Sequence, residues 1–197
     1  MTVFYVITKF LTFPGAITKS LFEHIMCKIL KLPVEDTRCL RTDEMCGHIE
    51  HELVERPAAS FWYCFIPGLL NFFLGLNLSI FAIINIFVLG NYTGFIENNS
   101  LLSSIFSSAM TNNTVLVGTM NFLLPCFFLW LGFSMLVNLA PLPEDALMMK
   151  EQFKNLNTFC KVIFAPGYFV MRIGAALESR GLTFILFAVI CAVLAIL

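Results

Sequence analysis

The chain has 197 residues, 58% of them hydrophobic and 13% charged, with a formal net charge of −1. Soluble domains are about half apolar and about a quarter charged, so these proportions exclude an ordinary soluble domain and predict an all-α integral membrane protein. No linker or internal repeat divides the sequence, so residues 1–197 read as a single membrane domain, and the near-neutral charge does not point to nucleic acid as a partner.

The N-terminal stretch "MTVFYVITKFLTFPG" lacks a basic start and a small-residue cleavage site, and is expected to be retained. Pro14-Gly15 then opens a helical stretch that Pro33 closes. At about 100° per residue, Lys19, Ser20, Glu23, His24, Cys27, Lys28 and Lys31 share one half of this helix, and Leu21, Phe22, Ile25, Met26, Ile29 and Leu32 the other. Two arrangements fit: a helix lying on the membrane surface with its lysines in water, or a span whose polar stripe faces other helices. Composition favours the surface helix. Next comes "DEMCGHIEHELVE", where His48, Glu50, His51, Glu52, Glu55 and Cys46 are zinc-type ligands, but where alternation equally suggests an exposed strand or solvated loop.

A membrane-spanning helix needs about 20 mostly apolar residues. Residues 61–89, 117–138 and, on the short side, 182–197 supply such runs, giving three to four spans depending on residues 14–32. Every Lys and Arg lies in residues 9–56 or 150–180. The positive-inside rule therefore places residues 90–116 outside and residues 33–60 and 141–180 in the cytoplasm, in a bacterial inner membrane or a eukaryotic endomembrane. Sequons at Asn91, Asn98 and Asn112 fall in the outside loop. Asn71, Asn77, Asn85 and Asn121 lie within the spans, where they read as interhelical glue or, in a transporter or channel subunit, as a polar path. The seven cysteines show no C-x-x-C spacing and are expected as free thiols. Residues 148–180 read as helical and interfacial, broken at Pro166-Gly167.

The second run ends in "NLAPLPEDA", where Asn138 is placed to satisfy freed helix carbonyls and Pro141 and Pro143 predict a rigid extended exit that delivers Asp145 to a fixed position. This segment resembles the N-x-x-P-x-P-x-x-D-G signature of site-2 protease-like intramembrane zinc metalloproteases, and "FPGAITKSLFEHIMCKILKLPV" resembles the family's first core helix. The likeness covers residues 13–147, leaving 148–180 as a cytoplasmic or interfacial segment and 181–197 as a C-terminal transmembrane helix. It implies a bound zinc, with Asp145 and His24 as ligands, His48 or His51 as the third, and Glu23 as the catalytic base. The family's H-E-x-x-H is degenerate here: aligned from Pro14-Gly15 it falls on Lys19, Ser20, Leu21, Phe22 and Glu23, and shifted by one residue it keeps only Glu23 and His24. The expectation is therefore a pseudoprotease in which Lys19 replaces the metal's charge beside Glu23 and Asp145. Its expected partners are the lipid bilayer and a membrane protein or peptide, held between the first and third core helices. An active zinc protease and an oligomeric transporter subunit are the alternatives.

Overall fold

A computed structural model describes residues 3–36, 50–88 and 113–196. The chain is mostly helical. In order it forms α1 (Val3–Leu11), α2 (Phe13–Leu30), β1 (Val34–Asp36), β2 (Glu50–His51), α3 (Pro57–Ile83, continued by a π-helical turn, Ile84–Val88), α4 (Asn113–Val137), α5 (Pro143–Lys154), α6 (Thr158–Glu178) and α7 (Leu182–Ile196). The one addition to an all-helical expectation is the ribbon β1–β2, antiparallel with Val34 opposite His51.

Helices α3 and α4 pack along each other, α2 lies against both, α5 covers α3, and α6 and α7 close the outer side. Small residues set this geometry. At the α3–α4 crossing, a methyl group on Gly75 would stand 2.8 Å from the Gly132 carbonyl oxygen. The backbones therefore meet at a distance that only glycine permits, as at helix crossings rich in small residues. The core below is built from Met26, Cys27, Tyr63, Cys64, Met149 and Tyr168.

Among the described residues two helices, Pro57–Phe87 and Thr158–Glu178, are long and apolar enough to cross a membrane. Helix α4 has 25 residues, Asn113–Val137, and α7 has 15. The second long apolar helix lies inside the segment that the sequence suggested was interfacial. Pro166 does not break it: α6 runs unbroken from Thr158 to Glu178. A helix proline forfeits one backbone hydrogen bond, a loss the rest of a 21-residue helix carries. Of the stretches expected to be spans, residues 117–137 lie in α4 and residues 182–196 in α7.

The largest departure concerns α2. Its polar side is the buried one: Lys19 is 6% exposed and Glu23 2%, while Leu21, Ile25 and Ile29 are 49%, 42% and 65% exposed. Of the two arrangements open in the sequence, the solvated-lysine helix is thus the one not adopted for Lys19 and Glu23. Lys19 and Glu23 turn inward, and Leu21, Ile25 and Ile29 turn outward.

Candidate functional site

The polar side of α2 is drawn in by a backbone contact. Gly15 sits directly on α4, its N–H donating to Ser134 Oγ at 2.7 Å. A methyl group at Gly15 would lie 2.7 Å from the Met135 nitrogen and closer still to the Ser134 carbonyl. Gly15→Ala is therefore expected to destabilise the fold by about 3 kcal/mol, since both colliding partners are backbone and cannot turn away. Denaturation in mixed micelles measures it, and an unchanged midpoint would show that the two helices do not touch here. The same contact leaves no room for a peptide between α2 and α4 at this level.

Asn138 joins the ends of three elements. Its Nδ2 donates to the Ser134 carbonyl at 2.8 Å and to the Thr12 carbonyl at 3.1 Å. Its Oδ1 accepts from Lys9 Nζ at 2.6 Å. Asn71 on α3 donates to the carbonyls of Gly15 and Asn138 at 3.0 and 3.1 Å. The bonds to the Ser134 and Asn138 carbonyls satisfy acceptors left open where α4 stops, and those to Thr12 and Gly15 tie that end to the start of α2. Asn77 and Asn85 instead bond back to Phe73 and Phe81 of their own helix, at 2.7 and 2.8 Å. The Asn121 side chain lies outside the described residues.

After Asn138 the chain is extended through residues 139–142. Pro143 then starts α5 rather than prolonging the extended exit, because proline suits the first turn of a helix, where no N–H is needed. Pro141 is buried, Pro143 is exposed, and Asp145 stands buried in the first turn of α5.

Three cation–anion pairs surround this segment among the described residues. Lys19 Nζ lies 3.5 Å from Glu23 Oε1 and donates to the Ala140 carbonyl of the extended segment. The carboxylates of Glu178 and Asp145 are also within its electrostatic reach. His51 Nε2 lies 3.7 Å from Asp145 Oδ1. Its Nδ1 is 2.6 Å from the Glu52 carbonyl, and its ring meets Tyr63 edge-on at 4.4 Å. Lys9 pairs with Glu178, whose other oxygen accepts from Thr183 at 2.7 Å.

The structure thus gathers Lys19, Glu23, His51, Asp145 and Asn138. It leaves His24 apart: half-buried, one residue round the helix from Glu23, with its Nδ1 buried and making no hydrogen bond. His48 lies outside the described residues. Among the described residues no three His, Cys, Asp or Glu side chains converge as a metal-binding group. His51 and Asp145 come together as two donors, with the Lys19 ammonium nearby. That set does not make up the three-ligand centre zinc chemistry requires. The sequence reading missed Lys9 and Glu178. The available signal was a single charge inside each of two otherwise uncharged stretches, "VFYVITKFL" and "IGAALES".

With Nδ1 facing a carbonyl and Nε2 facing a carboxylate, His51 is arranged to donate from both nitrogens. Burial works against its charged form, but the Asp145 carboxylate, the Glu52 carbonyl and the more distant Glu23 outweigh it, and the pKa is raised above the ordinary histidine value. A pKa raised on folding means a contribution to stability that is complete below the unfolded pKa and fades as pH rises through the folded one. Thermal stability in detergent is therefore expected to fall as pH rises from about 6.5, the ordinary histidine value, through the raised value of the folded state. His51→Gln should flatten that slope, and an equal slope in the variant would assign it to other groups. The chain matches no protein-family model, no curated protein and no solved structure.

Proposed function

We propose that the chain is an integral membrane protein of three to four spans that resembles site-2 proteases but is catalytically impaired, and that it acts by binding a membrane protein or peptide. The observation that carries this reading is the seat of Lys19. It lies on the helix that resembles the family's metal-binding one and donates to the Ala140 carbonyl within the Asn138–Pro141 segment. Its ammonium, paired with Glu23 and close to Asp145, supplies the positive charge these carboxylates need without a metal. The membrane location is supported by the two long apolar helices and by the inside-out α2, which buries charge and exposes Leu21, Ile25 and Ile29. Charges turned inward with apolar side chains turned outward suit a lipid solvent. The basic stretch 33–60, together with Lys150, Lys154 and Lys161 ahead of the apolar run of α6, then belongs on the cytoplasmic side. A partner helix would meet the apolar groove of about 740 Å³ lined by Leu76, Ile80, Trp130 and Phe133.

The active-protease reading draws on one observation, the 3.7 Å approach of His51 and Asp145, a separation two ligands of one zinc can have. It would use Glu23 as base and needs a further ligand, His24 or His48. Elemental analysis of the purified full chain decides between the two. The proposal expects zinc well below one ion per chain. Stoichiometric zinc that disappears in Asp145→Ala, His51→Ala and His24→Ala would replace it with the metalloprotease. The bonding of Asn71, Asn77 and Asn85 to backbone leaves the transporter reading with nothing specific in its favour.

A further inference from the structure

A second polar feature lies on the opposite flank of α5 and plays no part in the Lys19–Asp145 cluster. Helices α5 and α6 enclose a groove of about 240 Å³ whose walls include Ala146, Leu147, Ala175 and Ala176, with Lys150 entering from one side and Arg172 from the other. Among the described residues no carboxylate lines it. Among the described residues neither basic side chain has a hydrogen-bond or ion-pair partner, and the hydroxyl of Ser179 at its edge is taken up by the Ala176 carbonyl. A cationic pair from two different helices, over a floor of small apolar side chains, is complementary to a compact anion.

The surroundings say which kind of anion. Leu147, in the groove wall, is 60% exposed, and Ile173, beside Arg172, is also 60% exposed. Beyond α6 the surface opens into a second, apolar groove of about 320 Å³ lined by Val170, Ile173, Leu177 and Leu186. A free inorganic anion gains nothing from such walls, whereas a phosphate attached to hydrocarbon chains satisfies both halves at once. We propose that the α5–α6 groove is a binding site for the headgroup phosphate of an anionic phospholipid, held between Lys150 and Arg172, with its acyl chains along Leu147 and Ile173. The site rests on the membrane reading above. It would sit in the cytoplasmic leaflet, where anionic lipids draw basic side chains. Arginine contributes two parallel donors to a phosphate and lysine a point charge, so the two residues are complementary rather than redundant.

The test uses the full chain in nanodiscs of phosphatidylcholine containing a minor share of phosphatidylglycerol, with bound lipid read by native mass spectrometry on release. Wild type is expected to retain phosphatidylglycerol. Lys150→Gln/Arg172→Gln is expected to weaken that retention by roughly 30-fold, about fivefold per charge. Lys154→Gln, an exposed basic residue outside the groove, should keep it. Equal retention by wild type and the double variant, or an equal loss in Lys154→Gln, would overturn the site. Displacement of phosphatidylglycerol by inorganic phosphate would overturn the lipid assignment. Melting in pure phosphatidylcholine identifies a misfolded variant, for which the single Arg172→Gln, expected to lose about fivefold, then serves as the test. A chain that fails to remain in phosphatidylcholine nanodiscs would instead sink the membrane reading itself.

Discussion

Replacing Lys19 with methionine is expected to cost the fold about 3–5 kcal/mol, although methionine fills nearly the same space. The ammonium is a counter-charge of Glu23, at 3.5 Å, and holds the Ala140 carbonyl of the segment between α4 and α5. Removing it takes a counter-charge from a carboxylate with 3% of its side chain exposed, where water cannot take over. The desolvation already incurred by Glu23 then loses part of its compensation, which is why breaking one half of a buried pair is worse than never having it. Lys19→Met/Glu23→Leu should accordingly recover most of the loss, because an apolar pair of similar volume carries no such penalty. Unfolding titrations of the four members of this cycle measure the coupling. A double variant as unstable as the single one would show that Lys19 is held by the neighbouring carboxylates, Asp145 and Glu178, rather than by Glu23.

Glu178→Leu is expected to have an effect of similar size, about 3 kcal/mol or more, but to act on different elements. Glu178 is the carboxylate partner of Lys9 and receives the Thr183 hydroxyl, so it ties α1 to the junction of α6 and α7. Without it, the Lys9 ammonium stays buried with the neutral Asn138 carbonyl oxygen as its remaining acceptor at that junction. The cheapest relief is for α1 to swing away and hydrate Lys9. Hydrogen exchange in the amides of α1 should then rise well above that in α3, and Lys9→Met should suppress the rise. Uniform exchange across α1 and α3 in the Glu178 variant would count against this link.

What was legible in the sequence follows from what repeats locally. The apolar run from residue 61 produces α3 because continuous apolarity over that length leaves little else for it to be. The stop at Asn138 is equally local, since proline and asparagine chemistry acts within a turn. The two faces of α2 were also legible at 100° per residue, but not which of them turns inward. That depends on whether the solvent is water or hydrocarbon, and period alone is blind to it. His51 and Asp145 are 94 positions apart, and Lys9 and Glu178 are 169 apart. No local pattern announces pairs of that kind. Pro166 misled in the opposite direction, because a rule drawn from helices in water was applied to one whose exposed residues are Val162, Ile163, Phe169 and Val170.

The most direct measurement concerns the outward face of α2. A nitroxide amino acid placed by codon suppression at Leu21, Ile25 or Ile29 of the full chain in liposomes reports collisions with oxygen, enriched in lipid, and with a nickel chelate, confined to water. An α2 that buries its charges because its surroundings are hydrocarbon gives high oxygen and low nickel accessibility at Leu21 and Ile25. Ready quenching by the nickel chelate at both positions would place that face in water, and the inward-turned Lys19 cluster would need another cause.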